Sequence, residues 1–338
     1  MALSCGPPPP AAADPFGERG ARCPALDLAI LGGRFHFTSD SEALLRLVES
    51  AYGGLPQNGL PGTTPEFRIE LRLVSSRTDH RGEPPRVRQH SGAGLLCGVM
   101  DENNYVMLDP HGGRALVVAS QSMLDYPYHL RYELIEFAVF TLATRGRGLV
   151  PLHGACVGHA GRGVLLLGAS GAGKSTLALH SLLGGLELLA EDAVFVQPDS
   201  LYATGVPNFL HLQPDALRQV VHGPIHDWLA QAPRIRRRSG VEKIEADLRR
   251  GPHPPATAAL QLVGAVFVRA IPATAPGQLR VPLSGHGIAA RLAADQAYAS
   301  GQPGWAVFVQ GLIQRGVHEL HRGNHPEASV EVLRELLG

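Results

Sequence analysis

Residues 165–196, LLLGASGAGKSTLALHSLLGGLELLAEDAVFV, limit the possible fold more than any other part of the chain. An apolar run, Val164–Leu167, enters a glycine-rich turn, and a helical pattern, Thr176–Leu183, leaves it. Gly168 to Ser175 fits G-x-x-x-x-G-K-[ST] without a gap. A strand that hands its end to a helix through such a turn predicts α/β architecture.

The same turn has a chemical reading. Its glycines let backbone N–H groups wrap a phosphate, and the helix N-terminus adds partial positive charge. The motif places Gly168, Ala169, Ser170, Gly171, Ala172, Gly173, Lys174, Ser175 and Thr176 around nucleotide phosphates. Lys174 is expected to reach the β- and γ-phosphates, and the Ser175 hydroxyl to ligate Mg²⁺. ATP and Mg²⁺ are the expected ligands.

An acidic pair, Glu191-Asp192, follows within the apolar stretch LLAEDAVFV. A carboxylate that completes a Mg²⁺ shell commonly sits at such a strand end. Neighbouring residues on a strand point to opposite faces. Both acids therefore reach one phosphate only if the strand ends or bulges between them.

Composition narrows the alternatives. Lys+Arg and Asp+Glu are 30 each, so the basic excess of a general nucleic-acid or anionic-membrane binder is absent. No apolar run approaches the roughly 20 residues needed to span a bilayer. Cys5, Cys23, Cys97 and Cys156 lack metal-type spacing, and reduced thiols in a cytoplasmic protein are expected. Residues 1–24 are rich in Pro, Ala and Gly and read as a disordered tail without the basic and apolar regions of a signal peptide. Only Lys174 and Lys243 are lysines; every other permanent cation is arginine.

Residues 25–147 read as a smaller α+β domain for recognition of substrate or partner. LDLAILGGRFHFT is strand-like and broken at Gly32-Gly33; SDSEALLRLVESAYGG is a helix with Ser39 and Asp40 as caps. EFRIELRLV alternates as a half-buried strand, and 94–120 predicts three strands. YHLRYELIEFAVFTLATRGRG predicts a helix ending at Gly146 and Gly148. Residues 148–338 form the second unit. LVPLHGACVGHAGRGVLLLG reads as two strands, 198–255 as irregular, ALQLVGAVFVRAI and VHELHRG as strands, and the C-terminus as a helix with an Asn324 cap and Pro326 in its first turn. The segment 234–250 holds seven basic and three acidic residues and reads as a mobile loop, with Lys243 the cation favoured to neutralise charge at the phosphates.

The stretch from LHGACVGHAGRG through GASGAGKST to AEDAVFV resembles the catalytic domain of HPr kinase/phosphorylase. It is more similar still to the HPr-kinase-like serine kinases that include lasso-peptide precursor kinases. The resemblance covers roughly 149–338 and implies a P-loop kinase domain of the HPr kinase/phosphoenolpyruvate carboxykinase type. It implies Glu191 as general base, Asp192 as Mg²⁺ ligand beside Ser175, and His153 next to the transferring phosphate, ahead of His159, His211 or His318. Two departures stand out: Glu191 replaces the usual aspartate, and the family's Glu-Ile-Arg-Gly-Leu-Gly signature is replaced by GVPNFLHLQPDALRQV. Neither HPr as substrate nor the reverse phosphorolysis therefore follows from it.

The expected function is an ATP-dependent serine kinase acting on a peptide or small protein, with Glu191, His153, Lys174 and Lys243 as catalytic residues. No nucleic-acid or membrane partner is expected, and a homo-oligomer is left open. The alternative is a P-loop nucleotide-binding switch or ATPase without a phospho-acceptor.

Overall fold

The structure is a computed structural model that describes residues 24–75, 82–221, 223–273, 278–285, 287–323 and 325–338. Most of the expected tail, Cys5, Cys23 and the Asn324 cap lie outside the described residues. The architecture is α/β, with one seven-stranded, one nine-stranded and one three-stranded sheet among the described residues. No helix among them is long and apolar enough to cross a membrane.

The seven-stranded sheet begins with a hairpin, Ala25–Ile30 and Gly33–Ser39, turned at Leu31-Gly32. Gly33–Ser39 then runs parallel to Glu66–Val74, with helix Glu42–Tyr52 as the crossover that parallel pairing requires. Ser41 caps that helix by accepting from the Leu44 N–H, while Ser39 instead accepts from Ser41. The expected cap thus moves along the chain. In Glu66–Val74, Phe67, Ile69 and Leu71 are buried, as their alternation requires.

The helix expected to end at Gly146 and Gly148 runs through the first and stops at the second. It opens at Pro127–His129, widens into a π-helical segment, Leu130–Ile135, and continues as Glu136–Arg147. Gly146 serves close approach instead: a Cβ there would lie 2.5 Å from the Phe67 ring. Gly148, at φ 65°, ends the helix in the left-handed region.

The nine-stranded sheet carries three strands where two were expected: Val150–His153, Ala155–His159 and Arg162–Leu167. Arg162–Leu167 lies parallel to Leu260–Pro272, which lies parallel to Val317–Arg322. Val164 and Leu166 pack with helices Lys174–Leu183 and Pro326–Leu337. Leu165 and Leu167 face the opposite way, towards Ile288–Asp295 and Trp305–Arg315. A strand covered on both faces reads as a continuous apolar run, which is why VLLL does not alternate. Each such side chain contributes about 1.5–3 kcal/mol relative to exposure.

The segment 198–255 is more regular than its sequence suggests. Phe209–Leu212, Arg234–Arg236 and Glu242–Asp247 form the three-stranded sheet. The presumed mobile loop is thus a paired hairpin, closed by the Arg237 N–H on Val241 and the Gly240 N–H on Arg237. At the C-terminus, His325 caps helix Pro326–Leu337.

Specific contacts join the helices packed on the seven-stranded sheet to the nine-stranded and three-stranded sheets. Phe140 meets Phe195 edge-on at 4.8 Å between ring centroids. Arg249 donates to the carbonyls of Gly53 and Ser50 at 2.8 Å each, and Asn208 to Ala51 at 3.0 Å.

Candidate active site

The glycine-rich turn sits at the C-terminal end of Arg162–Leu167, in the crevice beyond the parallel strand ends where α/β sheets bind ligands. Gly168 has φ 127°, and a Cβ there would approach the Val268 carbonyl to 2.7 Å. This position accepts no larger residue without moving the neighbouring strand. Lys174 is buried, and its ammonium donates to the carbonyls of Gly168 at 2.5 Å and Ala169 at 3.2 Å. Burial lowers its pKa, against the opposing pull of Asp295, Asp192 and Glu191.

The acidic pair occupies a break between two strands. Glu187–Ala190 pairs with Ala155–His159, whereas Ala193–Val196 pairs with Val150–His153 and Tyr202–Gly205. The break releases both acids from strand alternation. One ligand atom each from Glu191, Asp192 and His211 lie within 4.8 Å of one another.

The two acids have different surroundings. Glu191 is buried; it accepts a short hydrogen bond from the Ser175 hydroxyl, and its other oxygen lies 3.3 Å from His211 Nδ1. The opposite ring nitrogen of His211 is 3.1 Å from Glu245, which also accepts from Tyr132 at 2.8 Å and Arg131 at 2.5 Å. Asp192 is 38% exposed at its side chain, accepts from Arg237 at 3.1 Å and lies 3.4 Å from His153 Nδ1. Of the pair, then, Glu191 meets the loop serine and Asp192 does not.

Electrostatics sharpen this difference. Burial alone would raise the pKa of Asp192, but Arg237, then His153 and His211, hold it below the usual carboxylate range. Burial opposes charge on His211, yet its hydrogen bonds to Glu191 and Glu245 raise its pKa above the ordinary imidazole value. Burial likewise opposes charge on Glu245; the His211 hydrogen bond and the Arg131 charge outweigh it and lower its pKa.

His153 is more than half exposed at its side chain, so it is not a core histidine. Gln296 fixes its backbone, accepting from its N–H at 2.7 Å and donating to its carbonyl at 2.9 Å. Lys243 stands opposite Ile235 in the hairpin, near enough for its charge to lower the pKa values of both Asp192 and Lys174. His159 and His318 lie on other strands and join none of these contacts.

Four groups besides these were not picked out from sequence. Arg131 and Tyr132 reach Glu245 from the π-helical segment, and Arg237 reaches Asp192 from the hairpin turn. Glu245 is buried on the strand face opposite that of Ile244 and Ala246. His211, ranked below His153, is the histidine next to Glu191.

Cavities open beside the loop and beside the acidic pair. One, of about 1030 Å³, is bounded by Gly171–Gly173, Thr176, Val268–Ala270 and Leu320–Gly323, with Arg218, Arg269 and Arg322 in its wall. A second, of about 890 Å³, is not lined by the loop and has His153 and Asp192 in its lining, and a smaller one, of about 540 Å³, is lined by Gly168–Ala172, Phe267–Ile271, Arg291 and Asp295. No protein-family model and no curated protein matches the sequence.

Proposed function

We propose that the protein is an ATP-dependent kinase that transfers the γ-phosphate to a serine hydroxyl of a peptide or small protein. The observation that carries this reading is the split acidic pair. Glu191 binds the serine of a phosphate-type loop, while Asp192 faces a second cavity that the loop does not line. A nucleotide switch needs the first arrangement; a group-transfer enzyme needs both. The α/β order of strand, loop and helix agrees with a P-loop kinase domain of the HPr kinase/phosphoenolpyruvate carboxykinase type.

In this reading the loop amides and Lys174 hold the β- and γ-phosphates, and the larger cavity takes the nucleoside. The Ser175 hydroxyl and the Glu191 carboxylate are hard oxygen donors that suit Mg²⁺ and would hold it. A bound Mg²⁺ supplies charge neutralisation at the phosphates. Asp192 accepts the proton of the acceptor hydroxyl as that oxygen bonds to the γ-phosphorus and the bond to the ADP oxygen breaks. His153 positions Asp192, and the nearby charges of Arg237 and Lys243 offset the negative charge of the transferring phosphoryl group. The roles of Glu191 and Asp192 are thus exchanged relative to the resemblance.

The test is direct. Lys174→Ala should lose ATP binding by calorimetry. Glu191→Gln should lose the Mg²⁺ dependence of that binding. Asp192→Asn should bind Mg-ATP yet transfer phosphate about 10²–10⁴-fold more slowly. Full transfer by Asp192→Asn overturns its role as base, and nucleotide hydrolysis with no transfer to any serine peptide favours the switch or ATPase instead.

A further inference from the structure

The second cavity has a composition of its own. It lies between the helix Glu136–Arg147 and the strands Val150–His153 and Ala193–Val196 of the nine-stranded sheet, with Gln89 contributed by strand Arg88–Gly92 of the seven-stranded sheet. Val87, Phe137, Phe140 and Phe195 give it an apolar wall. Its volume, about 890 Å³, is near the upper end of the roughly 300–1,000 Å³ of ligand pockets, enough for several residues of an extended chain.

The charged groups in its lining divide into paired and unpaired. Glu133 is neutralised by Arg238, which meets both its oxygens at 2.6 Å, and by His129 at 3.1 Å. Asp192 is matched by Arg237 and His153. Glu136 makes no hydrogen bond or ion pair with any described residue, although it lines the same cavity. Asp295 accepts only from the Gln296 amide, at 2.7 Å, with no cation in ion-pair contact among the described residues. Arg86 is the one lining cation without a described ion-pair partner, and it is exposed at the rim. The interior surplus is therefore acidic, and it is set in an aromatic wall.

We infer that this cavity binds the acceptor as a short peptide segment that places its serine at Asp192 and a lysine or arginine side chain at Glu136. This inference rests on the kinase reading and names its substrate class. A cationic side chain satisfies both parts of the wall: its methylene stem packs on Phe137 and Phe140 while its head meets the carboxyl. An acidic or phosphorylated segment is disfavoured by the same surplus. Burial also pushes the Glu136 carboxyl up to about 8, against the pull of Arg131 and His211, as expected of an acid that lacks a cation partner.

The experiment uses the full chain and short serine peptides in which a single lysine is walked across the flanking positions. The same peptides with norleucine, which keeps the stem and lacks the charge, are the comparison. Binding is read by fluorescence anisotropy, and transfer from ATP by mass change of the peptide. One lysine register should bind about tenfold tighter than its norleucine partner. Glu136→Gln should erase that ratio, and Glu136→Lys should reverse it in favour of glutamate at the same register. Equal binding of lysine and norleucine peptides by the unaltered protein, in every register, overturns the inference even if a variant fails to fold. So does a lysine preference that survives Glu136→Gln. A lysine preference in binding without phosphate transfer sustains the cation pocket and overturns the kinase reading, whereas transfer without any preference does the opposite.

Discussion

Glu136 also sets a pH dependence of stability. Its folded pKa, about 8, lies above the ordinary carboxylate value because burial disfavours its charge. Such a group binds its proton more tightly folded than unfolded. Its stabilising contribution is therefore complete below the unfolded pKa and is lost as pH rises through about 8. Glu136→Gln, which stays neutral, should raise the melting temperature relative to the unaltered protein above that pH and change it little in mild acid. A variant that is destabilised equally at both pH values would count against a desolvated acid without an ion-pair partner. Asp192 has the opposite sign: its depressed pKa gives stability that is lost as pH falls. At this scale the sequence was most legible where a motif fixes both residue and spacing, as from Gly168 to Thr176. It was least legible for Glu136, which reads as an ordinary helical glutamate until the cavity beside it is known.

Among elements, the hairpin of Arg234–Arg236 and Glu242–Asp247 carries the charge that completes the site. Arg237 donates directly to Asp192, while Lys243 acts through space. Arg237→Ala should slow transfer by about 10²–10³, the scale for losing one preorganised donor. Lys243→Ala should cost less, and Lys243→Arg should retain more activity than the alanine variant because it keeps the charge. Single-turnover rates at saturating ATP would measure this, and the reverse order would make the lysine the essential cation. The hairpin escaped sequence reading because its basic density hid the inward faces of Ile244 and Ala246. The acidic strand was half legible: alternation said that Glu191 and Asp192 could share a site only across a break, and pairing with different neighbours supplies that break. The π-helical segment has no sequence signature, so Arg131 and Tyr132 could not have been placed.

Across the whole molecule, the order of apolar runs and turns revealed the α/β class and most strands of the first sheet. How the sheets meet was not legible, because Phe140 and Phe195, or Arg249 and Gly53, are distant in sequence and carry no shared pattern. Those contacts, with the Arg131–Glu245 bridge, tie the helices packed on the first sheet to both the nine-stranded and the three-stranded sheet. Breaking a buried pair is costly, about 3–5 kcal/mol, so the sheets should not melt apart. Calorimetry should show one cooperative transition, shifted as a unit by Phe195→Ala; two separated transitions would refute the coupling. The scarcity of lysine has a practical side. Apart from the chain's amino terminus, the molecule offers an acylating reagent two amines, and both belong to the site: Lys174, sequestered against its own loop, and the more open Lys243. Chemical footprinting thus reports on the glycine-rich loop without any engineered label, with Lys243 marked first and Lys174 marked only as its loop opens.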